Sequence, residues 1–141
     1  GAPQDVYDDP ANLFVAKFLG TPPINVLEGV VQGGKLYIGE DAVLDVPGVA
    51  DQDVHVGIRP EGFELDDNGA LCCQLKNVEV MGRDSSVVVC HSSATSPVVR
   101  AIIDSDNKVD TTKETVRFCL KAHKVFLFHK ETEERIRFEV K

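Results

Sequence analysis

Short strand-like segments separated by turn residues constrain the fold of this chain more than any other feature. From residue 26 onward, runs rich in valine and isoleucine alternate with glycine, proline, aspartate and asparagine. Many short strands with turns at intervals of roughly 8 to 12 residues are typical of antiparallel barrels rather than of parallel α/β sheets. The sequence therefore predicts an all-β domain, built as a closed or nearly closed antiparallel β-barrel.

The predicted strands fall into two halves. The strands are residues 26–31, 35–38, 42–46, 54–58, 70–80, 86–90, 98–103, 116–120, 125–128 and 136–140. Glycines 33 and 34 favour a hairpin between the first two strands, because glycine supplies the positive φ angles of tight turns. The turn at residues 66–69 separates halves of about 24–66 and 70–141 within one barrel, residues 24–141.

Residues 1–23 show helical signals instead. Asp9 is a good N-cap, Pro10 suits the first helical position, and Gly20 suits the helix end. The apolar face of this helical arm consists of Leu13, Phe14, Phe18 and Leu19. A helix of about ten residues is marginal alone. We therefore expect the arm to be the junction to a larger preceding unit and the chain to be a C-terminal piece. Without that unit, the arm would fold back on the barrel, pair with another copy or be disordered.

Charge and composition exclude several classes of function. The chain has 23 acidic and 15 basic residues, a net charge of −8, which repels nucleic-acid backbones and anionic lipids. Single-stranded nucleic-acid binding, which some barrels perform, is further disfavoured because no basic and aromatic stripe is present. No apolar run approaches the roughly 20 residues that span a bilayer. Nucleic acid is therefore not an expected partner.

No motif indicates catalysis, a cofactor or a metal. Residues 29–36 match a phosphate-binding loop except at Leu36, which lacks the required hydroxyl and lies in a predicted strand. No serine lies in a nucleophile elbow. The four cysteines lack metal-ligand spacing and lie among apolar neighbours, which predicts buried thiols in a reducing compartment: Cys72, Cys73, Cys90 and Cys119. Catalytic, cofactor-binding and metal-ligating residues are therefore predicted to be absent.

One polar cluster stands apart, at the end of an apolar strand. Arg59, Pro60 and Glu61, together the Arg59 corner, follow Gly57 and Ile58. Proline fixes the backbone there, so the two charged residues can be held in place. Two interpretations remain open: an intramolecular pair that closes the barrel, or a surface that meets another chain.

These segments resemble one family. Residues 1–25 resemble the junction after the ATPase domain in maltose-type ABC importer ATP-binding subunits. Residues 57–61 resemble the Gly-Ile-Arg-Pro-Glu signature of their C-terminal regulatory domain, and residues 78–82 its following strand and glycine turn. Residues 125–128 and 132–136 are similar to its closing segment. The resemblance covers nearly the whole chain.

The resemblance implies a fold and a role. The fold would be a TOBE, OB-like barrel, and the role that of a non-catalytic regulatory and dimerisation domain in a sugar importer. It would tether two ATPase subunits and dock regulators. The helical arm would pack on the ATPase domain, where ATP and magnesium bind. That domain's Walker A, Walker B and signature motifs do not occur in this chain. The implied location is cytoplasmic, at the inner membrane face through permease subunits.

A second function, ligand binding rather than dimerisation, also stays open. Related barrels in some oxyanion importers sense small ligands, so the chain would bind a sugar or an oxyanion. The candidate polar groups for such a pocket are Arg59, Arg83 and Arg100, which come from distant segments.

Overall fold

The computed structural model describes residues 24–138, which form eleven strands and two 3₁₀ turns. The strands are β1 Asn25–Gln32, β2 Lys35–Ile38, β3 Asp41–Asp45, β4 Gln52–Ile58, β5 Phe63–Leu65, β6 Leu71–Met81, β7 Asp84–Cys90, β8 Val99–Asp104, β9 Thr115–Leu120, β10 Val125–His129 and β11 Arg135–Ile136. The 3₁₀ turns are Pro60–Gly62 and Ala122–Lys124. The predicted helical arm lies outside the described residues.

All strand pairings are antiparallel and form two sheets. One sheet has the order β11-β10-β4-β1-β2-β3, and the other has the order β5-β9-β6-β7-β8. The two sheets enclose one main core and form a nearly closed barrel. The predicted all-β, OB-like antiparallel barrel is therefore confirmed. Each sheet takes strands from both predicted halves, since β10 and β11 join β1–β4 while β5 joins β6–β9.

The register of the first sheet places apolar side chains on its inner face. Leu27 on β1 and Leu127 on β10 both lie opposite Val56 on β4, and all three side chains are fully buried. Glu28, the next residue on β1, is exposed. Alternation with a period of two residues thus separates the core face from the outer face. The predicted hairpin between β1 and β2 forms, with Gly33 and Gly34 at φ angles of 61° and 75°.

A second, smaller apolar cluster lies on the outer face of the same sheet. It consists of Ile24, Val26, Phe126 and Phe128, all buried. Gly57 on β4 lies between Val26 and Phe126 in the register. A Cβ atom there would lie 2.8 Å from Cδ1 of Ile24 and 3.1 Å from Cε2 of Phe128. The bare backbone of Gly57 therefore lets the neighbouring side chains close over the sheet.

The sequence prediction misses one strand and extends another too far. Residues 63–65 form β5, which pairs with β9 directly after the Arg59 corner. Three residues are too few for a periodic pattern to be visible. The strand predicted at 136–140 is instead Arg135–Ile136, followed by two residues without regular structure, and residues 139–141 lie outside the described part.

Candidate functional site

The Arg59 corner is a hydrogen-bonded junction between the two 3₁₀ turns. Arg59 has an extended backbone, with φ −61° and ψ 145°, as expected for a residue before proline. Its amide donates to the carbonyl of Lys124 at 3.1 Å, and the amide of Gly62 donates to the Arg59 carbonyl at 2.8 Å. The amide of Lys121 donates to the Gly62 carbonyl at 2.8 Å. The corner therefore ties the end of β4 to the start of β10.

The Arg59 side chain lies inside the protein. It is only 1% exposed, and its guanidinium carbon lies 5.5 Å from the centroid of the Phe126 ring. The guanidinium carbon of Arg135 lies 4.5 Å from the same centroid. Both distances suit a cation–π interaction, which strengthens as the cation is desolvated. Arg59 thus joins the corner to the outer-face apolar cluster.

Glu61 occupies the surface side of the corner. Its carboxylate lies 3.7 Å from the ammonium group of Lys124, and the two side chains are 34% and 29% exposed. Glu61 and Lys124 are therefore accessible to another chain, whereas Arg59 is not. The geometry favours the barrel-closing interpretation for Arg59. An interface role for the corner stays a prediction, as does the packing of Leu13, Phe14, Phe18 and Leu19, which lie outside the described residues.

Asn25 is an important polar residue that the sequence reasoning missed. Its side-chain amide donates to the carbonyls of Ile58 at 3.1 Å and Arg100 at 2.8 Å, and its oxygen accepts from the Arg100 amide at 3.0 Å. It thereby joins β1 and β4 of one sheet to β8 of the other. The sequence feature that could have revealed this residue is its position two residues before Leu27, which places it on the same inward face of β1. A buried amide must find partners, so this position predicted hydrogen bonds for the side chain but not which strands would supply them.

Two open clefts lie on the second sheet. The larger, about 640 Å³, lies beside the turn between β5 and β6 and contains both signs of charge, from Asp66, Asp67, Lys108, Lys113 and Arg117 among others. The smaller, about 430 Å³, is lined by Cys72, Cys73, Gln74, Cys90, His91, Ser92 and Thr115. The described residues contain no group of three or more histidine, cysteine or acidic residues placed to hold a metal ion.

Burial makes Cys73 a poor nucleophile. Desolvation, with smaller contributions from Cys72 and Cys90, raises the pKa of the Cys73 thiol to about 12. Burial also raises the pKa of Cys119. All four cysteines are free thiols. Because a thiolate is the reactive form of cysteine, the raised pKa values lower the reactivity of the Cys73 and Cys119 thiols at neutral pH.

The three arginines considered for a ligand pocket lie on different elements. Arg59 caps the first 3₁₀ turn, Arg83 lies in the turn between β6 and β7, and Arg100 lies on β8. Arg100 donates from its guanidinium to the Ser86 hydroxyl at 3.0 Å. Within residues 24–138, no helix has the length and hydropathy needed to cross a membrane.

Comparisons with known proteins show similarity to transporter subunits. The family of CysA C-terminal regulatory domains matches residues 25–65. An uncharacterised ABC transporter ATP-binding protein of Bacillus subtilis, YurJ, is 30% identical over 95% of this chain and 41% of its own length. The sn-glycerol-3-phosphate import ATP-binding protein UgpC of a Ruegeria species is 28% identical over 96% of this chain and 38% of its own length. The protein of the same name from Pectobacterium atrosepticum is 37% identical over 60% of this chain.

The chain spans about two fifths of the length of the first of these relatives. The matched regulatory-domain segment begins with β1 and ends with β5, so it includes the Arg59 corner. The chain is therefore similar to ATP-binding proteins of ABC transporters, and its residues 25–65 match a C-terminal regulatory domain, as the resemblance in its sequence predicted.

Proposed function

We propose that this chain is the non-catalytic C-terminal regulatory and dimerisation domain of the ATP-binding subunit of a sugar ABC importer. The observation that carries the proposal is the similarity of 95% of the chain to an ABC transporter ATP-binding protein, together with the regulatory-domain match at residues 25–65. A tether needs a rigid fold and a complementary surface rather than catalytic residues. The nearly closed barrel and its hydrogen-bonded corner supply the rigid fold.

The proposal defines a set of partners. A second copy of the subunit would contact this domain, and the subunit's own ATPase domain would bind ATP and magnesium. Permease subunits would hold the assembly at the cytoplasmic face of the membrane, and a regulatory protein would dock on the barrel. Because two of the relatives are named for sn-glycerol-3-phosphate import, a phosphorylated polyol is a candidate solute beside a sugar.

Removal of the barrel from the full-length subunit tests this function. We expect the truncated subunit to keep its basal ATP hydrolysis at high protein concentration but to lose dimerisation at low concentration, measured by sedimentation velocity. Glu61→Cys and Lys124→Cys should report whether the corner faces the second copy, with exposed Val30→Cys as the control. Unchanged dimerisation after truncation, together with an unchanged response to solute, would refute the proposal.

The larger cleft favours ligand sensing as a second candidate function. Its volume of about 640 Å³ lies in the range of small-molecule sites, and its mixture of carboxylates and cations suits a polyhydroxy ligand. Calorimetry with glycerol 3-phosphate and with maltose should give heat that the Lys113→Ala variant lacks. Absence of heat with both solutes would remove this candidate.

A further inference from the structure

The turn between β6 and β7 exposes apolar side chains on both faces. The hairpin tip, residues 80–84, contains Val80 at 70% exposure and Met81 at 56%, compared with 42% for Val30 and Val98. Successive residues of a strand point to opposite faces, so the exposure of both means that the tip projects past the end of the barrel core. Exposed methionine is frequent at binding surfaces because its side chain adapts to different partners.

The residue that follows a third strand, β8, holds the hairpin tip in place. The amide of Ser105 donates to the Arg83 carbonyl at 2.7 Å, and the Ser105 hydroxyl donates to the Gly82 carbonyl at 3.2 Å. Gly82 has a φ angle of 67°, which suits the tight turn. A braced surface loses little conformational entropy on binding, which favours affinity.

Two carboxylates lie in the same row as Met81 on one face of the tip. Met81 lies opposite Asp84 on β7, and Asp84 lies opposite Asp104 on β8, so the three residues form one row across three strands. Like charges directly opposite each other on a sheet are destabilising. Among the ion pairs found within residues 24–138, none involves Asp84 or Asp104. A cationic partner beside Met81 would relieve this repulsion.

The row on the other face belongs to the barrel interior. Val80 lies opposite Ser85, which lies opposite Ile103, and both of these are buried, at 5% and 4% exposure. Val80 therefore continues an inward-facing row, which contains buried Ile103, beyond the point where the barrel covers it. An apolar side chain from a partner would complete that row.

We propose that the hairpin tip is a docking surface for a partner protein whose apolar segment is flanked by lysine or arginine. Apolar contact with Val80 and Met81 supplies the burial, and Asp84 with Asp104 selects for positive charge. The tip also contains one cation, Arg83, so Arg83, Asp84 and Asp104 together carry a net negative charge. A second copy docked through the same surface would bring two negative surfaces together, so the occupant is a different surface. This inference depends on the proposed function in one respect: its test uses the assembled transporter as the sample.

Photo-cross-linking tests this surface directly. A benzophenone amino acid at position 80 of the full-length subunit, assembled with its permease subunits, should form an adduct that mass spectrometry maps to an apolar segment with flanking basic residues. The D84K/D104K variant should lower the adduct yield at least about tenfold, because the charges at the surface then repel. The cross-linker at Val30, and the remote Asp41→Lys change on β3, serve as matched controls.

Several outcomes overturn the proposal. An adduct to the hairpin tip of a second copy, an adduct to an acidic segment, no adduct, or a yield insensitive to D84K/D104K would each do so. Circular dichroism of every variant checks the fold. If truncation left dimerisation and the response to solute unchanged while the expected adduct still formed, only the proposed function would be refuted.

Discussion

Adjacent residues of the Arg59 corner have different environments. Arg59 is buried beside the Phe126 ring, while Glu61 forms a solvent-accessible pair with Lys124. The sequence placed both residues in one corner but could not show which of them faces the interior. That difference depends on β10, which brings Phe126 to the corner from 67 residues further along the chain than Arg59.

Substitutions at the two residues should therefore differ in cost. Arg59→Ala removes a large buried side chain, and we expect the free energy of unfolding to fall by about 2–4 kcal/mol. Glu61→Gln should cost less than about 1 kcal/mol, because exposed ion pairs contribute little. Urea unfolding measures both values. Equal costs would contradict the buried position of Arg59.

The Cys73 thiol predicts a pH dependence of stability. Its pKa is about 12 in the folded protein, against 9.0 as the reference value, so the folded state favours the neutral thiol. The stabilisation is complete below about pH 9 and falls as pH rises toward 12. Cys73→Ala should thus lose less stability at about pH 10.5 than at about pH 8, measured by urea unfolding. A cost that is the same at both pH values would contradict the raised pKa, and Cys72→Ala is the control.

Two glycines show how closely the elements pack. A Cβ atom at Gly69, just before β6, would lie 2.4 Å from the carbonyl carbon and oxygen of Phe118 on β9. At Gly57 on β4, the nearest atoms belong to side-chain ends of Ile24 and Phe128. Backbone moves less readily than the end of a side chain, so β6 and β9 depend on Gly69 more strictly than β4 depends on Gly57.

The Gly69→Ala variant should accordingly be the less stable one. We expect a loss of about 3 kcal/mol or more for Gly69→Ala and about 1–2 kcal/mol for Gly57→Ala. Thermal unfolding of the two proteins gives the order directly. If Gly57→Ala were the more destabilising, the side chains above β4 would be more rigid than the backbone of β9.

At the scale of the whole molecule, local patterns predicted the strands but not how they pair. Alternation and turn residues placed most strand ends within two residues, because both signals are local. The order of the sheets depends on contacts between distant segments, such as β4 with β10, which periodicity does not contain. Asn25 was missed for the same reason, since its partners are 33 and 75 residues away.

Asn25 should control how the two sheets are joined. Asn25→Leu keeps a similar volume but leaves the backbone amide and carbonyl of Arg100 without their partner, so we expect a loss of about 2–4 kcal/mol. Hydrogen exchange should show reduced protection at the Arg100 amide and little change in the β6–β7 hairpin. Asn77→Leu, at an exposed position of β6, is the matched control and should be nearly neutral. Full protection at Arg100 in the variant would contradict this role.

The position of β4 between β1 and β10 has a consequence for synthesis of the chain. As the polypeptide leaves the ribosome, β4 can pair with β1 early, but its other edge stays open until residues 125–129 have emerged. An open strand edge invites pairing with other nascent chains. A stop codon between residues 59 and 124 would thus yield a product in which one edge of β4 stays permanently open, so a quality-control protease would act on an aggregation-prone species rather than on a smaller barrel.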